Sequence, residues 1–262
     1  MRPPVNSTIS ALEIGGGVVE RTADGTLLRL PPTSGQVYAN AQLYDYAALR
    51  RAAYPNRPPL CLSLRARFSS EGAALRGTAG FGFWNQPFMP SQRLPRLPRY
   101  AWFFFGAPPH NMPLALGVRG DGFKAAVGDF SRPAFLALAP FAPLGFMLMR
   151  APALYRRLWP IAQRAIGVAE APLQVALTEW HTYRLEWLPH SVRFYVDDAL
   201  VLATPRAPRP PLGFIAWIDN QYAIITPQGD LRSGIVPIQQ AQWLEIAALS
   251  IAPLTTPHRV DR

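Results

Sequence analysis

The sequence predicts an all-β sandwich that carries one helical insertion, on three observations. Short stretches with period-two alternation recur along most of the chain and are separated by turn residues, the pattern of strands with one face in a core. Two aromatic stretches are apolar on both faces, as central strands covered from two sides would be. Between Pro133 and Val168 the period changes from alternating to helical, and prolines punctuate the change.

The elements follow in chain order. Gly17 to Arg21 and Thr26 to Leu30 flank Ala23-Asp24-Gly25, a turn signal, and Gln36 to Tyr46 carries Val37, Tyr38, Leu43 and Tyr44. Leu60 to Phe68 alternates most cleanly: Leu60, Leu62, Leu64, Ala66 and Phe68 share one face, and Cys61, Ser63, Arg65 and Arg67 the other. The aromatic stretches are Gly80 to Asn85 and Tyr100 to Phe105, joined by a proline-rich connection from Pro87 to Pro98. Gly80 and Gly82 leave room beside their strand, which can mark close approach of backbone or ligand. Tyr183 to Trp187 and Val192 to Val196 alternate across a hairpin-length connection. Asp197-Asp198 turns into Ala199 to Leu202, and Leu212 to Ile218 and Trp243 to Ile251 read as closing strands.

The insertion spans about 133–168. Pro133 to Met149 is uncharged and too broken by Pro133, Pro140 and Pro143 to cross a membrane as a helix. From Leu154 to Ile166, Leu154, Tyr155, Leu158, Trp159, Ile161, Ala162, Ala165 and Ile166 share one broad helical face, with Arg156, Arg157, Gln163 and Arg164 opposite. Pro160 either kinks this helix or starts a second segment. The insertion packs on the sandwich, or forms an apolar lid, or docks on a membrane surface through residues 133–166.

Composition bounds the function. The 262 residues suit a single β domain, 1–262, and 49% of them are apolar, enough for a sizeable core. The net charge of +10 raises the question of nucleic acid, but the arginines are scattered and no nucleic-acid motif is present, so a solvated surface is expected. The lone cysteine, Cys61, allows neither an intrachain disulfide nor a cysteine metal cluster, and reads as a buried strand residue rather than a nucleophile. The 4 histidines are not in metal-ligand spacing, so no metal is expected, and no phosphate-binding or dinucleotide fingerprint calls for a cofactor. Met1 to Glu20 does not read as a signal peptide, which makes the cytoplasm the expected location, with peripheral membrane association as the alternative.

Trp180-His181-Thr182-Tyr183-Arg184-Leu185-Glu186-Trp187, followed by Ser191 to Asp197, resembles the WHTYxxEWxxxxIxFYVDG hairpin of glycoside hydrolase family 16. Trp243 to Ile251 is similar to that family's last sheet strand, and Leu64 to Phe68 with Gly80 to Trp84 to the strands leading to its WPAFW region. The resemblance implies a jelly-roll β-sandwich of the concanavalin A-like lectin/glucanase group, and a structural role for His181 and Glu186, with Glu186 solvated or paired to Arg184 or Arg193. The hairpin recurs in non-catalytic domains of that group, so it implies fold more than function.

The resemblance also implies a Glu-x-Asp-x-x-Glu strand, because retaining hydrolysis needs two carboxylates about 5–5.5 Å apart. The equivalent strand is Tyr100 to Phe105, and between Glu71 and Asp121 there is no acidic residue. Carboxylates would have to converge from elsewhere, such as Asp129, Asp219 or Glu245. The expected function is therefore a non-hydrolytic protein that binds a glycan or apolar small molecule in an aromatic groove. The candidate groove residues are Trp84, Asn85, Trp102, Phe104, His110, Asn111, Trp217, Asp219, Asn220 and Tyr222. For the tryptophans the competing reading is core packing, and for Asp219 a turn or cap. The alternatives are a divergent enzyme working through Asp219, His110 or Asn85, and a membrane-associated protein docking through the insertion.

Overall fold

Leu60 to Phe68 forms a nine-residue strand whose inward positions Leu62, Leu64, Ala66 and Phe68 are fully buried, as its alternation requires. A computed structural model describes residues 9–87 and 96–254, and most of the proline-rich connection between Pro87 and Pro98 lies outside the described residues.

The strands are β1 (Ser10–Ile14), β2 (Val18–Arg21), β3 (Gly25–Leu30), β4 (Asn40–Tyr44), β5 (Leu60–Phe68), β6 (Thr78–Trp84), β7 (Arg99–Gly106) and β8 (Gly122–Asp129). After the insertion come β9 (Ala169–Pro172), β10 (His181–Trp187), β11 (Val192–Val196), β12 (Ala199–Thr204), β13 (Gly213–Asp219), β14 (Gln221–Ile225), β15 (Leu231–Ile235) and β16 (Gln242–Pro253). A first seven-stranded sheet runs β1-β4-β13-β6-β7-β8-β9, and a second runs β12-β11-β10-β5-β16-β3-β2. Neighbouring strands are antiparallel throughout, β14 and β15 form a separate hairpin, and the whole is a jelly-roll β-sandwich.

The core lies between the two large sheets. Phe81, Phe103 and Phe105 of the first sheet meet Phe68, Tyr183, Leu185, Trp187 and Phe194 of the second. The Phe103 ring stands edge-on to Tyr183 at 5.1 Å and to Phe194 at 5.2 Å. Such pairs add about 0.5–1.5 kcal/mol each beyond the burial of their area. The Tyr183↔Val196 to Trp187↔Val192 register realises the expected hairpin, and Glu186 contacts both Arg184 and, at 3.6 Å, Arg193. Cys61 faces away from the core and is half-buried rather than buried, and desolvation raises its thiol pKa.

The insertion holds three short helices, α1 (Pro133–Leu138), α2 (Ala142–Leu148) and α3 (Pro152–Ile166). Pro160 lies inside one continuous α3 rather than dividing it. Gly167, at φ 75°, ends α3: its N–H donates to the Arg164 and Gln163 carbonyls and the Val168 N–H donates to Gln163 O at 3.0 Å. α3 buries Trp159, Ala165 and Ile166, and Trp159 and Ile166 pack against Leu114, Ala115 and Val168 in a cluster separate from the sandwich core. The indole N–H of Trp159 donates to Leu114 O at 3.0 Å. Ile161, expected on the buried face, is exposed. Among the described residues no helix is long and apolar enough to cross a membrane. The strands on either side of the insertion are sheet neighbours, with Val127 opposite Ala169.

Candidate ligand-binding face

Strands β13, β6 and β7 lie side by side at the centre of the first sheet, and their inward residues fill the sandwich core. Period two sends Gly213, Ile215, Trp217 and Asp219, then Thr78, Gly80, Gly82 and Trp84, then Tyr100, Trp102, Phe104 and Gly106 to the outer face. The register sets Trp217 opposite Gly80 and Gly80 opposite Phe104, and it sets Gly82 between Ile215 and Trp102.

These glycines let rings lie across the backbone. A β-carbon on Gly80 would stand 2.9 Å from Trp217 Cη2, and one on Gly213 2.0 Å from Tyr46 Cδ1. One on Gly128 would stand 2.8 Å from Tyr100 Cζ. The room that the sequence leaves at Gly80 is thus occupied by the chain's own indole.

Trp102 is the hub. Its ring centroid is 4.6 Å from Tyr100, 5.3 Å from Trp217, 5.5 Å from Phe104 and 6.1 Å from Trp84. Tyr46 stacks on Tyr54 at 4.7 Å, contacts Tyr44 at 5.0 Å and accepts a 2.7 Å hydrogen bond from the Trp84 indole. Tyr46, Tyr54, Phe104, Ile215 and Trp217 are buried, whereas Tyr44, Trp84 and Trp102 are half-exposed. The tryptophans are therefore neither sandwich core nor fully open: they form an outer aromatic cluster with three rings reaching its surface.

Asp219 is the one charged residue at the outer positions of these three strands, and its side chain is engaged. Its Oδ1 accepts hydrogen bonds from Thr78 Oγ1 at 2.7 Å, Gln221 N at 3.1 Å and Thr78 N at 3.3 Å. Thr78 Oγ1 in turn accepts from the Trp217 indole at 3.0 Å, which joins Asp219 to the cluster. Burial pushes the Asp219 carboxyl up to about 6 against the pull of those hydrogen bonds. Asp45, at the edge of the cluster, is likewise raised by burial to about 6 while it accepts from Phe214 N and Asn56 Nδ2, both at 2.7 Å.

Asp129, Asp219 and Glu245 do not converge. Asp219 aligns through Thr78 and Gly106 with Gly122, the end of β8 opposite Asp129. Asp129 is bound by Arg209 at 3.1 Å, and Glu245 sits in the other sheet, paired with Arg67 at 2.7 Å.

His110 packs on Phe104 at 5.0 Å, at the rim of the cluster. Its Nδ1 accepts from Ala223 N at 3.2 Å, so the neutral ring carries its proton on Nε2. Burial, helped by the nearby Lys124 charge, holds its pKa down to about 4. Three buried polar atoms on or beside this face, His110 Nε2, Tyr100 OH and Asn40 Oδ1, have no partner among the described residues. Asn85 and Asn220 serve the backbone: Asn85 bridges Leu97 O and Arg99 N, and Asn220 bridges Val37 O, Val236 O and Ala39 N. Asn111 is exposed and clamps β14 through its backbone, and Tyr222 stands on that strand beside Gly234. Of the residues singled out from sequence, Trp84, Trp102, Phe104 and Trp217 share one cluster, His110 and Asp219 adjoin it, and the other four stand outside it.

Sequence reasoning missed Tyr44, Tyr46 and Tyr54, although Tyr44 and Tyr46 alternate around Asp45. It also missed an ion pair between Lys124 and Glu170 at 2.8 Å, with side chains 3% and 1% exposed. Glu170 accepts from Ala115 N at 2.8 Å and Lys124 donates to Met112 O at 2.8 Å, so the pair ties the 112–119 loop to β8 and β9. The available signal was that Lys124 is the only lysine in the chain, set among small apolar residues.

No family model matches this chain, and no curated protein does. Among solved structures it is similar to the carbohydrate-binding module CBM66 from Bacillus subtilis, at 10% identity and TM-score 0.43 over 94% of this chain and 96% of that one. It is also similar to the Emp47p carbohydrate recognition domain, at 11% identity and TM-score 0.47 over 95% and 90%. A third is a Bacillus licheniformis β-glucanase, at 10% identity and TM-score 0.44 over 92% and 90%.

Proposed function

We propose that this chain binds a glycan on the outer aromatic face of its first sheet and leaves it uncleaved. The observation that carries this reading is Trp102: a half-exposed indole ringed by four aromatic side chains, with no carboxylate at any outer position of its own strand. Aromatic rings with a polar handle suit a sugar, whose C–H face lies on the ring while its hydroxyls find hydrogen bonds. Among the described residues the Trp102 indole N–H has no protein acceptor, which leaves it for a ligand hydroxyl. The strand that would carry a nucleophile and an acid presents Tyr100, Trp102 and Phe104 instead, and a two-carboxylate mechanism has nothing to work with there.

Affinity electrophoresis through gels containing individual polysaccharides tests the proposal, with reducing-end release measured in parallel. Retardation by at least one glycan, abolished in Trp102→Ala, supports it. No retardation by any glycan, or retardation unchanged in Trp102→Ala and Trp84→Ala, overturns it. Release of reducing ends overturns the second half of the claim.

A further inference from the structure

We propose that the helical insertion docks on an anionic lipid surface, a role separate from the aromatic face. Phe141, Met147, Leu144 and Leu136 are 66%, 59%, 52% and 49% exposed, and Leu148 and Ile161 are exposed beside them in sequence or on the next helix. α2 is apolar on every side: Phe146 and Met149 turn in toward the insertion's own cluster while Leu144, Met147 and Leu148 turn out. A helix apolar all round is ordinarily buried, so its outer side lacks a cover. Leu144, Met147 and Leu148, at i, i+3 and i+4 of α2, form one outward ridge, with the exposed Phe141 at its N-terminal end.

Charge identifies the cover. Between Asp129 and Glu170 there is no acidic residue, while Arg132, Arg150, Arg156, Arg157 and Arg164 lie within that span. Arg150 follows the exposed end of α2, and Arg157, Ile161 and Arg164 share one face of α3 at i, i+4 and i+7. Arg164 carries the cationic face on to a cavity of about 500 Å³ at the base of the insertion, also lined by Arg132, His190 and Arg209, the last paired with Asp129. A second copy would bring arginine against arginine with no carboxylate in the segment to answer it. A bilayer with anionic headgroups satisfies both halves, taking the apolar ridge among its acyl chains and the arginines at its surface.

Co-sedimentation of the full chain with vesicles decides the matter, using phosphatidylcholine alone and phosphatidylcholine containing about one-third phosphatidylglycerol. Binding to the anionic vesicles only is expected, weakened by salt because the attraction is screened. The pair Phe141→Ser and Met147→Ser is expected to weaken binding about tenfold or more. Arg156→Glu with Arg157→Glu is expected to do the same, since each arginine near the surface is worth about fivefold. All four side chains are exposed, so the variants should keep the wild-type melting temperature and any glycan binding. Failure of the wild type to bind anionic vesicles overturns the proposal, as does binding that both variant pairs retain. A dimer in sedimentation equilibrium that Phe141→Ser dissociates would assign the ridge to a second copy and also overturn it.

Discussion

The indole of Trp217 lies across Gly80 of the neighbouring strand, its Cη2 2.9 Å from where a β-carbon on Gly80 would stand. The two are cross-strand partners, and the missing side chain lets the ring bed down on backbone. Trp217 is buried on an outer face as a result, and Trp102 beside it reaches the surface. Tyr46 over Gly213 and Tyr100 over Gly128 repeat the arrangement, so ring and glycine act as a unit.

That unit predicts energetic coupling. Gly213→Ala should destabilise the fold by about 1–3 kcal/mol, because its β-carbon meets the Tyr46 ring. In a Tyr46→Ala background the same change should cost little. Urea unfolding of the four proteins measures the cycle, and additive effects would refute the coupling.

Trp102 and Trp217 should separate binding from stability. Trp217 is buried and donates to Thr78, so Trp217→Ala should cost about 3–5 kcal/mol of stability. Trp102→Ala removes a half-exposed ring and should cost less stability while abolishing retardation in glycan gels. Equal stability losses would return Trp102 to the core.

The raised Asp219 carboxyl gives a stability difference with a defined sign. With a native pKa of about 6 against 3.8 unfolded, the native state holds the proton more tightly, so stability falls as pH rises through this window. Asp219→Asn keeps the Oδ1 acceptor and removes the charge. Its advantage over wild type should be absent near about pH 3.5 and grow to at most about 3 kcal/mol by about pH 7. A pH-independent difference would refute it.

His110 works in the opposite direction. Its native pKa of about 4 lies below the unfolded value of 6.5, so wild-type stability drains away as pH falls from 6.5 through 4. His110→Gln, which can still accept from Ala223 N, should lose that part of the slope. Urea midpoints measured from neutral to acid pH check it.

The Lys124–Glu170 pair predicts asymmetry between breaking and removing it. Lys124→Met or Glu170→Leu alone leaves a buried charge unpaired and should cost about 3–5 kcal/mol. The double variant should cost less than the sum, with a remainder from Met112 O and Ala115 N losing their partners. Additivity in chemical denaturation would contradict the pairing.

The strands of β5, β10 and β11 were legible because one face of each is polar and the other apolar, so period two is printed in the residues. β8 was not: Gly122, Ala125, Ala126 and Gly128 are poor strand formers, held extended by β7 and β9 on either side. The hairpin of β14 and β15 escaped for a related reason, since it pairs mostly with itself and shows no clear inward face. Trp84, Trp102, Phe104 and Trp217 of the cluster were readable as apolar strand positions. Tyr46 and Tyr54 were not, because they come from a loop that only the fold brings over Gly213 and Trp84.

The insertion joins two strands that are already neighbours. Because Val127 stands opposite Ala169, the stretch from Phe130 to Val168 is an enlarged hairpin loop whose two ends meet. A short turn could bridge Asp129 to Ala169 without moving the register of any strand. The helical segment therefore sits between strand ends that are already paired, so neither the order of the sheet nor the β8–β9 register depends on its length.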